Sequence, residues 1–144
     1  MIYEMLAHIK KRPEMYLGRP SITILSHYVH GFEHALTLAP ISLQEEEEFQ
    51  HFKQWLAREF RGSNLGWPGQ ILLFVSREDQ LRGESDERLE EQALEYFFVL
   101  LEQYSVLFRQ AEERVSAVLE KVAQETHLHN QKILADSQDR AREQ

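Results

Sequence analysis

The sequence predicts an all-α chain: a single-domain bundle of five or six helices with a long C-terminal helix. Three observations predict it. Apolar residues recur at spacings of three and four in successive segments, the period of a helix with one buried face. Only the short run Ile71-Leu72-Leu73-Phe74-Val75 is strand-like, and a lone strand has no sheet to join. Between Gly83 and Gln144 there is neither proline nor glycine, so nothing in that stretch breaks a helix.

The elements follow in order. Ile2, Met5, Leu6 and Ile9 share one face of a first helix, which Pro13 closes because the residue before a proline avoids helical geometry. Glu14 to Pro20 (EMYLGRP) reads as an ordered loop, with Met15, Tyr16 and Leu17 tucked inward and Gly18 turning the chain. Ser21 is an N-cap. The helix behind it carries the stripe Ile22, Leu25, Val29, Phe32 and Leu36 and ends at Ala39-Pro40. Ser42 and Glu45 fit a capping box, and Glu45 to Glu48 place negative charge where the helix dipole favours it. Phe49, Phe52, Leu56 and Phe60 continue that helix, with Trp55 beside them, until Gly62 and Ser63-Asn64.

Pro68 suits the first turn of a helix, so residues 71–75 are assigned to a short buried helix rather than a strand. Arg77 to Ser85 is a polar loop containing Gly83. From Asp86 onward Leu89, Ala93, Phe97, Leu100, Leu101 and Tyr104 mark one helical face. Leu107, Phe108, Ala111, Val115, Val118, Leu119 and Val122 carry the pattern on. This is one very long helix or two with a kink near Ser105. The expected division is a helical domain over 1–125 and a helix extension or fraying tail over 126–144.

Composition narrows the function. At 144 residues, 42% hydrophobic and 28% charged, the chain has enough apolar content to fold. A net charge of −8 argues against a nucleic-acid binder and against adsorption to anionic membranes. Cysteine is absent, which excludes disulfides, thiol catalysis and Cys-ligated zinc. No run of 18 apolar residues occurs, and Met1 to Lys11 has no signal-peptide core, so a cytoplasmic location is expected.

The charge is uneven. Residues 1–30 carry a net +2 from Lys10, Lys11, Arg12 and Arg19 against Glu4 and Glu14. Residues 78–102 hold nine acids against Arg82 and Arg88, a local −7. Acids at a helix start complement its dipole, and a charge run is commonly a solvated face. The same field would also serve as a docking surface for a basic partner.

Chemistry-bearing patterns are few. His27, His30 and His34 lie within a ~60° arc at 100° per residue, a spacing that can hold a metal. The arc lies opposite the apolar stripe and shares its side with Thr23, Ser26 and Glu33, so a polar outer face is the plainer reading. No phosphate-binding glycine loop and no nucleophile elbow is present. No catalytic residue, metal site or cofactor is assigned, and the chain is expected not to be an enzyme. Trp67 follows a glycine and is either packed or an exposed anchor of the kind enriched at interfaces.

Two resemblances add to this reading. Lys11-Arg12-Pro13-Glu14-Met15-Tyr16-Leu17-Gly18 resembles the KRPGMYIG stretch that opens type II topoisomerase ATPase domains. That family's catalytic glutamate and metal-holding asparagine would fall on Gly31 and Ala35, and the glycine-rich ATP lid is missing, so this resemblance implies no ATPase. More broadly, Arg12 to Gly18, Ser21 to Leu25, Phe52 to Trp55, Gly66-Trp67 and Phe97 to Tyr104 together resemble small bacterial immunity-type proteins associated with Rhs and other polymorphic toxin systems. The likeness covers roughly residues 1–105. It implies an immunity protein that binds a cognate toxin domain and blocks its active site or substrate path.

The expected partner-binding residues are Tyr16, Trp67, Asp86, Glu87, Glu90, Glu91 and Glu95. The expected partner is the toxin, with no nucleic acid and no membrane. The alternative is a non-enzymatic helical adaptor that self-associates as a homodimer through Val115, Leu119 and Val122 on the C-terminal helix. A third reading is a metal-binding protein using His27, His30 and His34.

Overall fold

The computed structural model describes residues 1–39, 44–60 and 65–142. Among these, the chain forms six α-helices, one 3-10 turn and no strand. The helices are α1 (Ile2–Lys11), α2 (Pro13–Leu17), α3 (Ile22–Leu38), α4 (Gln44–Glu59), α5 (Trp67–Ser76) and α6 (Asp86–Arg142). The fold is the all-α bundle that the periodicity predicts. The chain divides into two compact units, Met1–Gln103 and Tyr104–Gln144, so the 125/126 boundary expected from sequence falls inside α6.

Pro13 does two jobs. Arg12 leaves α1 at φ −144°, and its N–H still donates to the carbonyls of His8 and Ile9. Pro13 then opens α2, where a missing N–H costs nothing. The segment expected as a loop is therefore a one-turn helix, and it turns outward. Leu17 is buried, but Met15 and Tyr16 are exposed, which corrects the inward placement of those two. Gly18 ends α2 at φ +77°, a left-handed conformation favouring glycine, and its N–H donates to the Glu14 carbonyl at 2.9 Å.

Ile22, Leu25, Val29 and Leu36 of α3 are buried, as are Ile2, Leu6 and Ile9 of α1 and Phe49, Phe52 and Leu56 of α4. The capping box at Ser42 and Glu45, and the stop at Gly62 to Asn64, lie outside the described residues or their side chains. Between α3 and α4, Lys53 Nζ lies 2.6 Å from Glu33 Oε1, and Gln50 Nε2 donates to the same oxygen at 2.9 Å. Glu33 thus sits at the margin of the outer face and reaches its neighbouring helix. Lys53 also lies over the Phe49 ring, 5.5 Å from its centre.

The first unit gathers around the opening stretch of α6. Phe97, fully buried, has ring centres of Trp67 at 5.1 Å, Phe98 at 5.3 Å and Phe52 at 5.7 Å around it. Such tilted and edge-on pairs are the favoured aromatic geometries. Ala93, Leu94, Phe98 and Leu100 are buried with it. Residues 71–75 are helical, with Ile71 and Val75 buried and Pro68 in the first turn, as the composition of that run predicts.

A polar tie fixes α6 against α3. Ser21 caps α3 by accepting from the Ile24 N–H at 3.1 Å, and its hydroxyl donates to Glu90 Oε2 at 2.8 Å. The Thr23 N–H donates to the same oxygen at 3.0 Å, and the Thr23 hydroxyl donates to Oε1 at 2.6 Å. Two N–H groups of the first turn of α3 are thereby satisfied, one by a residue 67 positions away. The carboxylate also meets the positive end of the α3 dipole. Partial burial pushes the Glu90 pKa up. The hydrogen bonds from Thr23 and Ser21, with the Arg19 guanidinium nearby, outweigh it and hold the group below the usual glutamate value.

Two outcomes are expected. Glu90→Gln should lower stability at neutral pH by about 1–2 kcal/mol, since it removes charge-assisted hydrogen bonds. A depressed carboxylate pKa stabilises the fold above the unfolded-state value, and that contribution is lost as pH falls through the folded value. The gap between wild type and variant should therefore close on acidification, as denaturant melts across pH would record. Gly18→Ala should cost about 1–2 kcal/mol from left-handed backbone strain alone, because an added Cβ would meet nothing within 4 Å.

Candidate functional site

The acidic stretch of the sequence resolves into two sets of residues. Glu90 faces inward and is committed to α3. Its carboxylate thus ties α6 to α3, and it also lines the cleft beside the α2–α3 turn. Glu87, Glu91 and Glu95 follow each other at four-residue steps, so one outer stripe of α6 presents all three, with Glu102 close to the same line. From Glu87 to Glu95 the row extends over ~12 Å at 1.5 Å per residue, and the buried Phe98 separates it from Glu102. Asp86 joins Glu87 in the first turn of α6, at the dipole's positive end.

Basic groups border this stripe. Arg19 Nη1 stands 3.8 Å from Glu87, Arg88 Nη1 2.9 Å from Glu91, and Lys10 Nζ 3.9 Å from Glu102. Gln92 Nε2 donates to Glu95 at 3.2 Å. These are exposed pairs, which contribute little to stability and exchange readily for a partner's charges. The local field is milder than a count along residues 78–102 implies, because Arg19 and Lys10 come in from distant segments.

Two clefts flank the start of α6. One, of about 440 Å³, lies between the α2–α3 turn and α6 and is lined by Glu14, Arg19, Pro20, Ser85, Glu87, Arg88, Glu90 and Glu91. The other, of about 430 Å³, is lined by Phe74, Val75, Glu78, Leu81, Glu84, Arg88 and Tyr96, with Gln80 and Gln92. In it the Phe74 and Tyr96 rings stack, 5.2 Å apart and 8° from parallel. Burial, then the Glu78 charge, raises the Tyr96 pKa above the usual phenol value. Arg88 lines both clefts.

The remaining expected residues are spread over other elements. Tyr16 is 37% exposed on α2, with its ring 6.4 Å from His8 and the more exposed Met15 alongside. Trp67 is the first residue of α5, half-buried against Phe97, so its indole serves the aromatic cluster. His27, His30 and His34 are all exposed on the outer face of α3. Among the described residues no group of three or more His, Asp or Glu side chains is placed to hold a metal ion. None of the helices there is long and apolar enough to cross a membrane.

The inward turn of Glu90 and the Phe74–Tyr96 cleft were missed by sequence reasoning. A signal for the first exists. Residue 90 keeps the register of the buried positions 94 and 97, so a carboxylate there must find donors, and Ser21-x-Thr23 at a helix start supplies them. The cleft joins α5 to α6, and no local pattern reports that pairing.

The Tyr96 environment makes a direct expectation. Glu78→Gln should lower the tyrosinate midpoint seen in an ultraviolet pH titration toward the ordinary phenol value, since it removes the neighbouring negative charge. An unchanged midpoint would leave burial as the sole cause.

Comparison with protein-family models, with curated proteins and with solved structures gave no match to this chain.

Proposed function

We propose that the chain is an immunity protein that binds a basic, cognate toxin domain and occludes its active site or substrate path. The observation that carries this reading is the acidic row of Glu87, Glu91 and Glu95 along α6, with Glu87 and Glu95 exposed and Glu91 half-buried. The resemblance of residues 12–18, 21–25, 52–55, 66–67 and 97–104 to immunity-type proteins supports the same reading.

The physical logic is that of charge-guided inhibition. A toxin domain that handles nucleic acid needs a basic cleft. An acidic row on α6 matches such a cleft in sign, and it speeds encounter while rejecting acidic bystanders. Affinity then requires desolvated anchors near the charges. Met15 and Tyr16 are apolar groups held outward on α2, whose Glu14 borders the acidic cleft. Glu90 is excluded from the contact set because its oxygens are engaged by α3.

The reading requires a toxin domain encoded beside this chain, and the test uses that domain. Co-expression should restore growth, and the purified proteins should form a complex. Changing Glu87, Glu91 and Glu95 together to Gln should lower the association rate by about tenfold at low salt, with the gap shrinking as salt is raised. Full toxicity in the presence of excess chain, or an association rate indifferent to the triple change, would overturn the reading.

A further inference from the structure

Among the described residues, the unit Tyr104–Gln144 is one helix, the continuation of α6 to Arg142. In water a helix draws most of its stability from packing an amphipathic face, and within its own unit this helix has no second element to pack on. It nevertheless carries such a face. Phe108, Ala111, Val115, Val118 and Val122 succeed one another at steps of three, four, three and four. Val115, Val118, Val122 and the adjacent Leu119 are between 53% and 63% exposed.

We propose that a second copy of this chain covers this face, as a parallel, in-register, two-stranded coiled coil over residues 108–122. The step pattern is the argument for a helical partner. A repeat of 3.5 residues marks the seam of two helices winding round each other, with Phe108, Val115 and Val122 at a and Ala111 and Val118 at d. Valine at a packs well in a two-stranded seam, and the small Ala111 at d lets the axes approach. Glu125 at the next d position and His129 at the next a position end the apolar seam.

Charge selects the orientation. Arg114 and Lys121 occupy g positions, and Glu112, Leu119 and Thr126 occupy e positions. In a parallel pair each g residue faces the following e residue of the other strand. Arg114 then lies over Leu119 of the second copy, where its aliphatic stem extends the apolar cover, and Lys121 faces Thr126. The antiparallel alignment that keeps the valines together sets Arg114 against Lys121 twice and buries Glu125 against Phe108. Like charges flanking a seam are a common means of rejecting the wrong pairing.

The full chain lacks cysteine, which makes the test clean. Sedimentation equilibrium should show a dimer that dissociates on dilution. Changing Val115 and Val122 to Glu should raise the dissociation constant by about tenfold or more and leave the thermal unfolding of the first unit unchanged, because both residues are exposed. Under mild oxidation a Val115→Cys variant should cross-link to itself rapidly, and Glu113→Cys, on the opposite side of the helix, should not. A chain that is monomeric at all concentrations would overturn the proposal. So would a dimer indifferent to the glutamates, or cross-linking that is equal at 113 and 115. None of these readings requires the toxin, so this proposal and the immunity reading fail separately.

Discussion

A helix start leaves N–H groups with no partner inside the helix, and they must be answered by something. Here that obligation falls on the first turn of α3, and Glu90 of α6 meets it from far along the chain. The contact is long-range, charged and directional, so it sets the angle and height of α6 against α3 in a way that apolar packing alone would not. Hydrophobic contact is tolerant of sliding; a carboxylate gripped by two hydroxyls and an amide is not. Once α6 is fixed, Phe97 arrives among Phe52, Trp67 and Phe98, and the ring cluster has one arrangement.

This tie also sorts the acids of α6. A helix whose inward stripe is pinned must turn the residues about 100° and more away toward solvent. Glu91 and Glu95, about 100° and 140° round the helix from Glu90, are therefore turned away from α3, whereas Glu87, only about 60° from Glu90, borders the same cleft. The outer stripe and the anchoring carboxylate come from one short segment, and substitutions there have opposite meanings. Neutralising Glu91 touches a surface pair with Arg88, whereas neutralising Glu90 loosens the joint between two helices.

Much of the architecture was legible in the sequence. The three-four spacing located the buried faces of α1, α3, α4 and the start of α6, Ser21 announced its own cap, and Pro68 identified α5 as a helix. What escaped was the orientation of individual side chains where two elements meet. Met15 and Tyr16 look like core residues by type, but a one-turn helix has room to bury only Leu17. Glu90 looks like one more surface acid, because a run of charges hides the register that points it inward. Trp67 was open to two readings, and its contact with Phe97 on another helix is one no local pattern reports. The candidate site was legible as charge and illegible as geometry, since Arg19 and Lys10 approach it from segments no local pattern connects to α6.

The side chains from Ala111 to Arg142 are all exposed, although the backbone there is helical throughout. Hydrogen bonds in such a stretch open at little free-energy cost compared with those of a packed core. Cellular proteases engage segments that open locally, and they do so in proportion to how often the open form occurs. Cleavage within this stretch would thus be governed by how often its apolar face is covered, whatever the stability of the packed helices. Protease resistance there would report association rather than folding.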